Sequence, residues 1–467
     1  MGSKDMLVDR YPVEDVFARV PELAEQTDPV LKQLDTLLDD DELYMRVRAD
    51  LGQRYKQTLV HGRHSTPVEV ILRLLLVKHL YQWSYQETLE RVSDSLVLRW
   101  FSRVYFQRVP DESTLIRWAQ TLRPETLHVL NDRVVQLAVQ AKVTKGRKLR
   151  VDASCVQTAI HHPTDSGLLV DSVRVLSRLV QRAKPLFKEH LSNVGVLCRS
   201  RLRSARRVAQ SLHRLRRRKN EIKEEEQQDH YRRLITTTEH MVHQAKQVVA
   251  ALAQQSDQAA QRLVTSVQEV MPLILRVIHQ ARTRVLEGKQ VTSKEKVLSL
   301  HEPHTRVIPR HKGGALVEFG RFVVFDEVEG GIVTRYQILS DGESDRGQGS
   351  VALAHHQPLF GHPPRMMTGD RGIHAKTTEG QALSAGVKLV AIPAKGPISA
   401  ERRVIEHSRR WIRAYRWRAG IEGRIHSLRR DYGLRQCAYH GEVGMERWVG
   451  LGVLASNLRH IAQAQLA

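Results

Sequence analysis

The sequence predicts an α/β core that is split by a long helical insertion and preceded by an all-α N-terminal segment. Three patterns predict it. Short runs with helix-start signals fill residues 28–140. A strand-like run stands alone near residue 150, and the other strand-like runs come only after residue 315. Between them, from about 167 to 300, the apolar spacing is helical and glycine is almost absent. The division that follows is 1–140, 141–166, 167–300 and 301–467, with the second and fourth stretches forming one core.

Composition narrows the class. Hydrophobic residues are 41% of 467, enough for a sizeable core. Lys and Arg number 73 against 51 acids, a net charge of +22. Such an excess points to a polyanionic partner, because phosphates release counterions when bound by cations. Cys155, Cys198 and Cys437 are too few and too scattered for a disulfide framework or a zinc knuckle, which fits a reducing compartment. No stretch approaches the roughly 18 apolar residues of a membrane span, since Arg73 and Lys78 interrupt the run 71–80. A cytoplasmic protein is expected, with no membrane contact.

Taken in order, Asp28-Pro29 starts a helix whose apolar face is Leu31, Leu34, Leu37 and Leu38. Thr66-Pro67-Val68-Glu69 reads as a capped start with Thr66 as the cap, and Ser84 caps a second helix with Glu87 three residues on. Another start at 110–114 leads into Leu115-Ile116-Arg117-Trp118. These short capped helices suit a helix-turn-helix DNA module, with Arg117 as a contact, and equally an ordinary helical bundle. After Lys145-Gly146-Arg147-Lys148, the run Leu149-Arg150-Val151 reads as a strand ending beside Asp152. Residues 199–219 carry many cations and no acid, including Arg206, Arg207, Arg216, Arg217, Arg218 and Lys219. A solvated helix face accounts for part of that run. The charge density favours a DNA-contacting arm. Strands at 316–325 and 332–339 flank the hairpin signal Glu329-Gly330-Gly331. A run at 365–370, a strand at 387–392, one long helix over about 399–430 and an apolar closing helix at 448–461 complete the chain.

Phosphodiester cleavage needs an attacking oxygen made anionic and a leaving oxygen neutralised, which two divalent cations held by carboxylates can supply. Asp152 and Asp370 each lie at or just after a predicted strand. Glu422 lies on a helix in register with Tyr415, Arg418 and Arg429; at about 100° per residue the four fall within about 60°. That stripe offers a metal-binding carboxylate flanked by guanidiniums able to grip phosphate, or merely an Arg418–Glu422 salt bridge. Lys395, in Pro393-Ala394-Lys395-Gly396, is a candidate phosphate contact or a plain loop lysine.

The spacing Tyr-x2-Arg-x3-Glu-x6-Arg resembles the Tyr-Arg-Glu-Lys signature of DDE transposases of bacterial insertion sequences, with Arg429 in place of the usual lysine. Lys148-Leu149-Arg150-Val151-Asp152, Glu318-Phe319-Gly320 and Thr368-Gly369-Asp370-Arg371-Gly372-Ile373 resemble other motifs of that family, and the layout is similar to its ISNCY-type group. The resemblance implies a ribonuclease-H-like mixed sheet with helices on both faces. It further implies Asp152, Asp370 and Glu422 as catalytic ligands of two Mg²⁺ or Mn²⁺ ions, and Tyr415, Arg418 and Arg429 as DNA-positioning groups. The implied partners are element-end and target DNA, and the implied assembly is a homodimer or larger synaptic complex in the nucleoid. An inactive DNA-binding regulator and a nuclease without strand transfer are the rival readings. The histidine pairs near 161, 301 and 355 lack zinc-site spacing and read as surface residues, and no P-loop indicates a nucleotide cofactor.

Overall fold

The computed structural model describes the chain apart from residues 1–4, 15, 17–19, 23–26, 55–62, 188–193, 218–222, 294, 310–316 and 341–342. Two compact units form: residues 1–158 with 321–467, and residues 159–320.

The first unit opens with helices α1 (Pro29–Leu37), α2 (Asp41–Leu51), α3 (Val68–Tyr81), α4 (Tyr85–Asp94), α5 (Leu96–Phe101), α6 (Glu112–Thr121) and α7 (Pro124–Gln140). Short polar caps set their starts: Asp28 accepts from the Val30 amide at 2.8 Å and Ser84 from Glu87 at 3.0 Å. The expected Thr66 cap does not form. Pro67 takes that position without a side-chain cap, because the backbone carbonyls of Val8 and Asp9 accept from the Val68 and Glu69 amides instead. Helix α3 is buried on every side, and Arg73, which looked like a break in its apolar run, is inside with it. Its guanidinium pairs with Asp35 at 2.6 Å, Asp39 at 3.0 Å and Glu69 at 3.1 Å.

A mixed sheet follows, built from β1 (Lys148–Thr158), β2 (Val317–Val328), β3 (Ile332–Ile338), β4 (Met366–Gly369) and β5 (Leu389–Ala391) in the order β3-β2-β1-β4-β5. β4 runs parallel to β1 and to β5, and β2 and β3 are an antiparallel hairpin. Its turn uses Gly330 and Gly331 at φ +83° and +74°; a Cβ on Gly330 would sit 2.1 Å from the Val143 carbonyl oxygen, so only glycine fits. β1 does not stop at Asp152 as expected. It continues to Thr158 because Cys155, Val156 and Thr158 find buried places and the far end pairs with Gln436–Cys437.

Helices cover both faces of the sheet. Alternate residues of β4 point opposite ways: Met366 packs with Trp411 and Ala414, while Met367 lies under Gly349 of α8 (Gln348–Phe360). Then come α9 (Lys376–Ser384), α10 (Ala400–Glu406), α11 (Arg409–Arg418), α12 (Gly420–Asp431) and the largely buried α13 (Gly441–Leu466). The single helix expected over 399–430 is thus three. Ser408 caps α11 through the Trp411 amide, and at Ala419 the backbone tightens, its amide bonding back three residues to Arg416 at 3.1 Å.

In the second unit four helices, Asp165–Ala183, Leu202–Arg217, Lys223–Leu252 and Gln258–Ala281, pack around residues such as Leu176, Leu234 and Val267. Helix Leu202–Arg217 buries Ala205, Leu212 and Leu215, and exposes Arg203, Arg206, Arg207 and Arg214. Among the described residues no helix is long and apolar enough to cross a membrane.

One buried cluster joins sheet to helices in the first unit. Arg150 on β1 grips Glu327 on β2 through two hydrogen bonds, at 2.7 and 2.8 Å, and donates a third to the Trp417 carbonyl at 2.8 Å. Its guanidinium also lies 4.5 Å from the Trp417 ring centroid. Replacing Arg150 with Met strands the Glu327 carboxylate, which is about 1% exposed. Urea unfolding of R150M is expected to show a loss of about 3–5 kcal/mol, and a loss below about 1 kcal/mol would contradict this account.

Candidate active site

The β1–β4 ladder ends on the pair Val151–Gly369, so one further step places Asp152 opposite Asp370, on strands about 4.8 Å apart. Asp152 Oδ1 accepts from the Ala153 amide at 2.8 Å, and its Oδ2 accepts from Arg418 Nη1 at 3.1 Å. Asp370 closes a turn through the Ile373 amide at 3.1 Å. Glu422 stands in the first turn of α12, its side chain 53% exposed, and accepts from Arg418 Nη2 at 2.9 Å. Arg418 therefore spans two of the three acids.

Electrostatics shows the same convergence. Burial pushes the Asp152 carboxyl up to about 6, the negative charge of Asp370 adds to that, the Ala153 amide and Arg418 oppose it, and Glu422 pushes it up further. A fourth carboxylate joins them. Asp345 lies so close to Gly372 that a Cβ there would sit 2.2 Å from its Oδ2. Burial makes its carboxyl harder to ionise, and Asp370 adds to that, while Lys395 acts against both. Sequence reasoning passed over Asp345. The signal available was the tripeptide Asp345-Arg346-Gly347, which repeats Asp370-Arg371-Gly372.

Other side chains expected at the site fall into two groups. Tyr415 lies beneath Arg418, 5.5 Å from guanidinium to ring, and stacks on Trp411 at 5.1 Å. Arg429 reaches Ser154, two residues beyond Asp152, at 3.4 Å. Lys395 is exposed in the loop after β5, within electrostatic range of Asp345. Arg117, by contrast, is exposed on α6 and bonds within its own helix to Ser113 and Thr114. Arg206 and Arg207 are exposed on the second unit's basic helix; Arg216 and Arg217 form its last turn, and Arg218 and Lys219 lie outside the described residues. Two histidines expected at the surface are buried. His356 bonds the Gly146 carbonyl at 2.9 Å, burial pushing its imidazole down to about 4, and His304 is enclosed beside Glu302.

Hard oxygen donors are the donor chemistry that suits a divalent cation, and the part of the upward push on Asp152 that comes from Asp370 and Glu422 is repulsion such an ion would relieve. Among the described residues, however, no three Asp, Glu, His or Cys side chains stand close enough to hold one as they are placed. The Arg418 guanidinium lies between Asp152 and Glu422 in that arrangement.

Residues 19–121 match a family described as a transposase domain (DUF772), and residues 384–462 match one described as a transposase DDE domain. The second match contains Lys395, Tyr415, Arg418, Glu422 and Arg429, and stops short of Asp152 and Asp370. A similar protein is the uncharacterized protein ORF8 in the nfe locus of Rhizobium meliloti, 28% identical over 123 residues; the match covers 25% of this chain and 59% of that protein's length. No solved structure matches. Together the two family matches support a DDE transposase of an insertion sequence, with a DDE domain that implies a ribonuclease-H-like fold.

The acid cluster has a pH signature. Asp152 binds its proton near pH 6 when folded and near 3.8 when unfolded, so the stability it contributes is complete below about pH 4 and is lost as pH rises through 6. In a chelating buffer, wild type is expected to lose about 3 kcal/mol relative to Asp152→Asn between pH 4 and 7. A difference that stays flat across that range would show that burial and the neighbouring acids together do not raise Asp152 above its ordinary value.

Proposed function

We propose that the chain is a DNA transposase that nicks the ends of an insertion sequence and joins the freed 3′-hydroxyls to target DNA. The observation that supports this reading is that Arg418 bonds Asp152 and Glu422 at once, while the charge of Asp370 on the neighbouring strand acts on Asp152. The two transposase matches at opposite ends of the chain support it. A mixed sheet with helices on both faces fits a ribonuclease-H-like core. Asp152, Asp370 and Glu422 would hold two Mg²⁺ or Mn²⁺ ions, which when bound supply charge neutralisation for the attacking and leaving oxygens.

The chain's own residues do the rest. Glu422, half in solvent, turns from Arg418 toward the aspartates by a change of rotamer. Arg418, released from one or both acids, offers its planar fork to a phosphate oxygen. Tyr415 supports Arg418 from below, so the guanidinium keeps its orientation while changing partner. Arg429 and Lys395 hold neighbouring phosphates. Asp345, beside the Asp370 turn, positions that turn. Exposed Arg206 and Arg207, with Arg216 and Arg217 on the same helix, and Arg117 on α6 are the proposed outlying contacts to DNA. We read the working form as a homodimer or larger synaptic complex in the nucleoid.

One observation favours a second reading. Arg418 between Asp152 and Glu422 supplies the positive charge a metal ion would, as suits a DNA-binding regulator that no longer cuts. Incubation with element-end DNA and Mg²⁺ or Mn²⁺ separates the two. The transposase is expected to nick at the ends and to join precleaved ends. Asp152→Asn, Asp370→Asn and Glu422→Gln are each expected to lower nicking on the order of 10³-fold, from the several kcal/mol of charge stabilisation lost. Binding without nicking by the wild-type chain would favour the regulator. Nicking without joining would leave a nuclease.

A further inference from the structure

Lys78 ends the buried helix α3, and only 3% of it is exposed. Its ammonium lies 4.5 Å from the ring centroid of Trp448, 4.9 Å from Tyr85 and 5.2 Å from Tyr439. Three ring faces and the carbonyl end of α3 soften the desolvation of that charge. They do not neutralise it: among the described residues Lys78 makes no ion pair and no side-chain hydrogen bond. Burial accordingly drags its ammonium down to about 8. Lys78 also lines a cavity of about 380 Å³ together with Arg429, Arg430 and Arg435, and among the described residues no carboxylate lines it. Arg430 is already answered by Asp431 at 2.6 Å, whereas Arg435 is exposed. The back wall is fixed, since Trp448 donates to the Gly433 carbonyl at 2.9 Å, and a Cβ on Gly433 would strike its ring at 2.8 Å.

We propose that this cavity is a phosphate-binding site, occupied by a backbone phosphate of the DNA strand held at the acids. The proposal rests on the transposase reading for its DNA. A backbone phosphate presents two non-bridging oxygens, each able to accept from more than one of the donors that line the cavity. Arg429 and Glu422 lie on α12 seven residues apart, about 10 Å along the axis, so a strand held at Glu422 can bring a nearby backbone phosphate to Arg429. One face of α12 thus addresses the scissile bond, and its far turn addresses a neighbouring backbone phosphate.

The test is equilibrium binding of the full chain to a labelled element-end duplex in chelator, measured across a series of NaCl concentrations. Lys78→Met and Arg435→Gln are each compared with wild type. Each variant is expected to weaken binding several-fold and to reduce the slope of log affinity against log salt by about one phosphate's share, roughly 0.9. Single neutral methylphosphonates are placed one at a time within a few nucleotides of the nick, and one position is expected to weaken wild type while leaving Lys78→Met indifferent. Should Lys78→Met prove misfolded, the exposed Arg435→Gln carries the same expectation. Unchanged slopes in both variants overturn the site. So does a result in which the variants lose binding of inorganic phosphate or pyrophosphate while DNA binding and its slope stay intact, since the pocket then serves a small phosphate compound. A chain that nicks DNA with unchanged slopes refutes this proposal alone; a chain with the expected slopes that never nicks refutes the transposase reading alone.

Discussion

The grip of Arg150 on Glu327 is the constraint from which the rest of the site takes its position. Glu327 is almost wholly buried on β2, where an unpaired carboxylate would be untenable, so its partners are drawn in around it. Arg150 comes from β1, and Arg424, 3.6 Å away, comes from α12. Arg424 in turn lies 3.3 Å from His460 on α13. Through Nη1 Arg150 also donates to the Trp417 carbonyl in the last turn of α11. Gly420 then becomes obligatory, because a Cβ there would sit 2.2 Å from the Arg150 guanidinium. Two residues past that contact stands Glu422, and two residues past Arg150 stands Asp152. The distance between the helix acid and the strand acid is therefore set by a salt bridge to which neither belongs.

A second balance is layered on the first. Carboxylates placed on neighbouring rungs of a parallel pair repel, and burial deepens the cost. Arg418 offsets part of it by bonding to Asp152 and Glu422 at once, and Tyr415 and Trp411 stack beneath to hold that guanidinium in place. Among the described residues its buried Nε has no hydrogen-bond partner, so the arrangement leaves one donor of Arg418 unanswered. An arginine held this way folds the acid cluster with no other cation present, yet remains poised to exchange its partners.

What the sequence made legible follows from how local each signal is. Asp370 was readable because a strand, an Asx turn and a glycine succeed one another within five residues. Helical spacing put Glu422 beside Arg418 and left a metal ligand and a plain salt bridge both open; the Arg418–Glu422 bond at 2.9 Å forms across the break at Ala419. That break was not readable, since the reason for Gly420 sits on a strand 270 residues earlier. The same holds for Arg73 and Lys78. Both interrupt an apolar run, yet α3 is buried all round because Asp35, Asp39 and Glu69 receive the first and three aromatic rings enclose the second. Buried charge is specified by its partners, and those partners were scattered along the chain. Asp345 went unseen for the same reason, its role arising only where its loop meets the Asp370 turn.

These cases share a physical logic that bears on the proposed chemistry. The first unit stores positive charge in places where its countercharge is either protein carboxylate, as at Arg73, Arg150 and Arg418, or absent, as at Lys78. A site that had to accept a polyanion with all its cations free would be held open by their mutual repulsion before the polyanion arrived. Pairing Arg418 with the acids avoids that, and on the proposed reading it makes binding an exchange: the phosphate takes the guanidinium, and the carboxylates it leaves turn to the cations. Charge stays balanced on both sides of that exchange, so the buried cluster never carries the full repulsion of three bare acids. The aromatic enclosure around Lys78 solves the same problem differently, by holding a lone ammonium against ring faces until an anion reaches it.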